Sequence, residues 1–215
     1  MKKILIIACF AALALMNSCV GVSADIVLLA DGSGKIVIDY RVSQMMESLG
    51  KLDGNARWPA IPVGRTDFER SLARIPGLRI SSFSSKEVKN AAGGNDILTR
   101  VALEFKDTAA LLAFLDNTGN RAFLDHHEGK TRLRLVLLDP AAGITDADLH
   151  SFLREIFSGY ELYMSFSTPK DASLSILPSS VTAARLAPQG KKVSCAIEMG
   201  EIAALNDGLA LEVAW

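Results

Sequence analysis

The chain has 215 residues, 49% hydrophobic and 22% charged, enough to bury the core of one medium domain. Lysine plus arginine number 23 against 24 acidic residues, so no basic field exists to hold nucleic acid, and no nucleic-acid motif spacing occurs. With 16 Gly and 7 Pro, collagen-like and low-complexity character are excluded as well.

Lys2 and Lys3 precede an apolar run from Ile4 to Met16. At roughly 13 residues it falls short of the ~20 that a membrane-spanning helix needs. A positive start before a short apolar run is the layout of a secretory signal. Two cleavage points fit it. Leu15-Met16-Asn17-Ser18-Cys19 resembles a bacterial lipobox, which makes residues 1–18 the signal, Cys19 the lipidated residue, 19–24 a short tether and 25–215 a single domain. Val22-Ser23-Ala24 instead offers small residues to an ordinary signal peptidase, releasing a chain that starts at Asp25. The lipidated reading is preferred, and it places the protein in the cell envelope, membrane-anchored and facing the periplasm or exterior. Cys9 leaves with the signal, while Cys195 alternates with Val193, Ile197 and Met199 as a small core residue. A Cys19–Cys195 disulfide is the alternative.

In chain order, Asp25–Val42 is a hairpin around Asp31-Gly32-Ser33-Gly34, with Ile36, Ile38, Tyr40 and Val42 on one face. Ser43 caps a short helix reaching Leu49, and Gly50–Arg65 is a loop. Thr66-Asp67-Phe68-Glu69 is a capping box opening a helix that stops at Pro76-Gly77. Leu78–Phe83 is a strand that runs into a polar Ser/Lys-rich connection. The next strand points Ile97, Thr99, Val101, Leu103 and Phe105 inward and Arg100 and Glu104 outward. Asp107 caps a helix with Leu111, Leu112 and Leu115 inward. Arg121–Leu124 and Thr131–Leu138 form a hairpin around Asp125–Lys130. Thr145 caps a helix whose Leu149, Phe152, Leu153, Ile156 and Phe157 keep helical spacing. Tyr160–Ser167 is a strand, 168–190 is broken by prolines, and Val193–Met199 and Leu209–Trp215 close the chain. The expectation is an α+β fold: a largely antiparallel sheet of about eight strands with three or four short helices packed on it.

Few residues suggest chemistry. Asp31-Gly32-Ser33-Gly34-Lys35 imitates an adhesion-type metal site, but Lys35 occupies the position of an oxygen ligand, which leaves a hairpin turn. Gly129-Lys130-Thr131 ends like a Walker loop, but Leu124 replaces its first glycine. His126 and His127 in Asp125-His126-His127-Glu128 are the metal candidates, and they converge only if the turn is irregular; a solvated hairpin tip is the simpler reading. No catalytic motif is found, so no catalytic residue and no cofactor are expected. The loop Arg57-Trp58-Pro59-Ala60-Ile61-Pro62-Val63 is apolar for a loop, and Trp58, Ile61 and Val63 are the ligand-binding candidates, at a cavity mouth or a membrane-touching segment.

The order of these pieces resembles the LppM-type family of bacterial envelope lipoproteins. The resemblance runs from Cys19 and the Asp25–Val42 hairpin through Val101–Phe105, its following helix and Phe166-Ser167-Thr168-Pro169. It ends in Gly190-Lys191-Lys192-Val193, Ile202–Leu205 and Leu209–Trp215. It implies a secreted α+β lipoprotein domain, with lipid or glycolipid recognition in some members and no catalytic motif. The chain departs in lacking the C-terminal membrane helix that some members carry. The expected function is therefore a lipid-anchored, non-enzymatic envelope protein binding an apolar ligand, a lipid or glycolipid. An envelope scaffold that binds another protein is the alternative.

Overall fold

The computed structural model describes residues 20–43, 64–89, 94–116, 121–127, 129–138, 160–178, 184–203 and 208–215, with Ser151, Arg154, Phe157 and Leu205 singly. Of these residues 61% lie in strands and 16% in helices, so the chain is mostly β and the α+β expectation is corrected. The strands are β1 (Val20–Leu28), β2 (Gly34–Ser43), β3 (Leu78–Lys89), β4 (Asn95–Phe105), β5 (Ala122–His127), β6 (Lys130–Leu138), β7 (Glu161–Ser167), β8 (Ser173–Leu177), β9 (Arg185–Gln189), β10 (Lys192–Glu198) and β11 (Leu209–Ala214). Among the described residues the helices are α1 (Arg65–Leu72), α2 (Thr108–Leu115) and α3 (Met199–Ala203).

Two sheets result. The large one has the order β3-β4-β2-β1-β7-β10-β9, and the small one β5-β6-β11-β8. Every neighbouring pair is antiparallel except β1 and β7. The alternation of each strand sets its inner face. In the large sheet Ile26, Phe166 and Val193 stand in one row, and Ala24, Met164 and Cys195 in the next. In the small sheet Leu135, Leu211 and Ile176 share a row, with Leu133, Val213 and Leu174 beside it. These side chains belong to one buried cluster spanning both sheets. Filling of this kind, with side chains wholly removed from water, is the main stabilising term of the fold. On the β2–β4–β3 side Phe68 of α1 covers the large sheet, its ring 6.3 Å from Tyr40 and 5.7 Å from Phe83.

The differences from the sequence reading have local causes. β3 does not end at Phe83 but continues to Lys89, fully paired with β4. As the edge of the sheet it meets water along its length, so Ser84, Ser85 and Lys86 are tolerated there. β8 and β9 both lie in 168–190, the segment expected to be irregular. β1 begins at Val20, so residues 20–24 are strand and not tether. α1 starts from Gly64 with no side-chain cap, so the capping box at Thr66 is not used. Asp107 does cap α2, its carboxylate accepting from the Ala110 N–H at 2.9 Å. Leu149, Phe152, Leu153 and Ile156 of the expected helix, and the short helix after Ser43, lie outside the described residues.

Candidate functional site

Cys19, Trp58, Ile61 and Val63 also lie outside the described residues. His126 and His127 sit at the end of β5, exposed, in register with Thr131 and Lys130. The strand is regular there, so the two rings leave on opposite sides. His126 Nδ1 lies 3.1 Å from the Thr131 hydroxyl. Among the described residues no three His, Cys, Asp or Glu side chains are placed to hold a metal.

Cys195 is buried, and burial pushes its thiol up to about 11. Its thiol is free, and Cys19, the other half of the alternative disulfide, lies outside the described residues.

The feature with binding character is an open trough of about 620 Å³ where β1 ends and β2 begins. One register row crosses four strands there: Val27 pairs with Lys35, Lys35 with Glu104, and Glu104 with Arg79. Val27 is 38% exposed and Leu29 52%, both large apolar side chains held in water. Lys35, Arg79 and Lys106 surround them, with Glu104 paired to Arg79 and Lys106 3.9 Å from Asp107.

Close contacts fix this geometry. A Cβ on Gly34 would lie 1.9 Å from the Val27 carbonyl oxygen and 2.4 Å from the Phe105 ring, so only glycine fits. The β1–β2 turn is held by Asp31, whose carboxylate accepts from the Ser33 N–H at 3.0 Å and the Ser33 hydroxyl at 2.7 Å. These bonds to the charged form lower the Asp31 pKa. At the opposite wall Gly77 adopts φ +80°, and its carbonyl accepts from the Lys106 N–H at 2.8 Å. A smaller hollow of about 370 Å³ lies by Leu138, Leu177 and Leu209 of the small sheet.

An apolar strip edged by Lys35, Arg79 and Lys106, with Glu104 on Arg79 and Asp107 beside Lys106, suits an amphiphile whose head group meets Lys35. The sequence reading missed it because its residues come from three separated segments with no local motif. The one available signal was Leu29 and Lys35 flanking a tight Asp-Gly turn. No protein-family model matches the chain, and no curated protein matches it.

Proposed function

We propose that the protein is a lipid-anchored, non-enzymatic lipoprotein of the cell envelope, tethered through Cys19 and facing the periplasm or exterior. Its ligand is a lipid or glycolipid with an anionic head group, held in the trough. The observation that carries this reading is the trough itself, with Val27 and Leu29 exposed between Lys35, Arg79 and Lys106. Each methylene taken from water contributes about 0.8 kcal/mol, and the cations favour an acidic head over a neutral one. The LppM-type resemblance points to the same ligand class.

The test is methyl NMR of the mature protein titrated with dihexanoyl phosphatidylglycerol, a lipid short enough to stay monomeric. Saturable shifts at Val27, Leu29 and Leu78 are expected, with severalfold weaker binding of the phosphatidylcholine analogue. Leu29→Asp is expected to abolish the shifts and leave the fold intact, since a turn side chain still reaches water. Absence of saturable shifts overturns the reading.

A scaffold role is favoured by one specific observation. β3 offers 12 residues of edge strand, paired among the described residues with β4 alone, to which an extended partner segment could add. The bulge between Ile80 and Ser82 interrupts that edge and limits the length available.

A further inference from the structure

The sequence leaves two places where the export signal could be cut, and the large sheet separates them. β1 is the fourth of seven strands, with β2 on one side and β7 on the other. Residues 20–24 are part of it. Val22, Ser23 and Ala24 pair with Tyr40, Asp39 and Ile38 of β2. The same three pair with Leu162, Tyr163 and Met164 of β7, and Val20 pairs with Glu161. Gly21 is buried so tightly that a Cβ on it would lie 2.9 Å from the Tyr160 Cβ and 3.2 Å from the Met199 sulfur. This end of β1 is thus enclosed by side chains from the segment before β7 and from α3.

We infer that the signal is removed on the N-terminal side of Val20, so that the mature chain keeps residues 20–24. The inference rests on the reading of residues 1–18 as an export signal, but not on lipid at Cys19. A cut after Ala24 would hydrolyse the Ala24–Asp25 peptide bond and strip the first five of nine residues from the central strand. Backbone groups of Asp39 on β2 and of Tyr163 and Ser165 on β7 would lose partners in the middle of a sheet, where unpaired groups are costly. The new α-ammonium would stand on Asp25, whose carboxylate accepts from the Ser165 hydroxyl, a side chain only 2% exposed. The Val22-Ser23-Ala24 pattern that suits a signal peptidase is on this account a strand sequence: Ala24 faces the core cluster, and Ser23 lies on the opposite face of the sheet with Asp25 and Ser165.

The test is the N-terminal residue and intact mass of the exported protein, made from the full precursor in a bacterial host. Two variants run beside it. Ala24→Val blocks any enzyme that needs a small residue before the cut while keeping a strand-forming side chain. Cys19→Ser removes the acceptor for lipid. A wild-type chain that starts at or before Val20, unchanged in Ala24→Val, is expected. A wild-type chain starting at Asp25, or one whose start moves in Ala24→Val, overturns the inference and leaves the export reading standing. An uncut chain starting at Met1 overturns both. A start before Val20 without added lipid mass supports the inference and overturns the anchor at Cys19.

Discussion

The two ends of β1 share a strand and the same two neighbours, yet they have opposite characters. At the Val20 end Gly21 lies beneath Tyr160 and Met199, with no room for a side chain. At the Leu28 end Val27 and Leu29 reach water between Lys35 and Lys106. Backbone pairing is complete along most of the strand, so what differs is what the flanking segments lay over it. A β-strand supplies a straight rigid frame. Which end of it becomes a site is decided by segments distant in sequence.

This contrast can be broken or sharpened by substitution. The largest effect is expected from Phe166→Ala, because Phe166 is fully buried in the row with Ile26 and Val193 on which both ends depend. A loss of about 3–5 kcal/mol is expected in chemical denaturation. A loss under about 1 kcal/mol would mean that the core collapses around the gap and that the frame is not rigid. Next is Gly34→Ala, which drives a methyl into the Val27 carbonyl and the Phe105 ring. A cost of about 1–3 kcal/mol is expected, together with altered Val27 and Leu29 methyl shifts. A neutral result would show that the trough wall yields.

Alkaline titration has a direction fixed by burial. Tyr40 is pushed up from 10.0 to about 12, chiefly by burial, and Cys195 from 9.0 to about 11 for the same reason. The folded chain therefore keeps protons that the unfolded chain has released. This stability is full below about pH 9 and is lost as pH rises through 11 to 12. The urea midpoint is expected to fall over that window, and more gently in Tyr40→Phe. A midpoint that stays level to pH 11.5 would contradict the packing around Tyr40.

The smallest effects are expected at exposed positions. Leu29→Ser, His126→Ala and His127→Ala should each change stability by less than about 0.5 kcal/mol. A histidine variant that lost more would give the β5–β6 hairpin a role that its exposure argues against.

How much of this was legible in the sequence depends on where each strand lies. β4 has covered neighbours on both edges, and its Thr99, Val101, Leu103 and Phe105 alternate with outward Arg100 and Glu104 as the pattern indicated. β3, β8 and β9 are edge strands, and water along one side lets serine, lysine and proline stand where apolar residues were sought. Overlooking β8, β9 and the second half of β3 is what turned a mostly β chain into an expected α+β one. The start of β1 was hidden differently. Its Val22-Ser23-Ala24 carries the small residues of a cleavage site, and the pairing to Tyr40–Ile38 of β2 and Leu162–Met164 of β7 identifies it as strand. The trough was invisible because it exists only once β1, β2, β3 and β4 are side by side.

The parallel pairing of β1 with β7 also governs how the protein must be made. Asp25 and Ser165 are 140 residues apart in the chain and hydrogen-bonded in the sheet. At roughly 5–20 residues per second of synthesis, the first strand waits on the order of ten seconds for its second neighbour. During that time β1 to β4 can pair only as a four-stranded antiparallel half-sheet, with the β7 side of β1 still open. A chain whose centre waits for so distant a partner completes its large sheet by slow, long-range assembly.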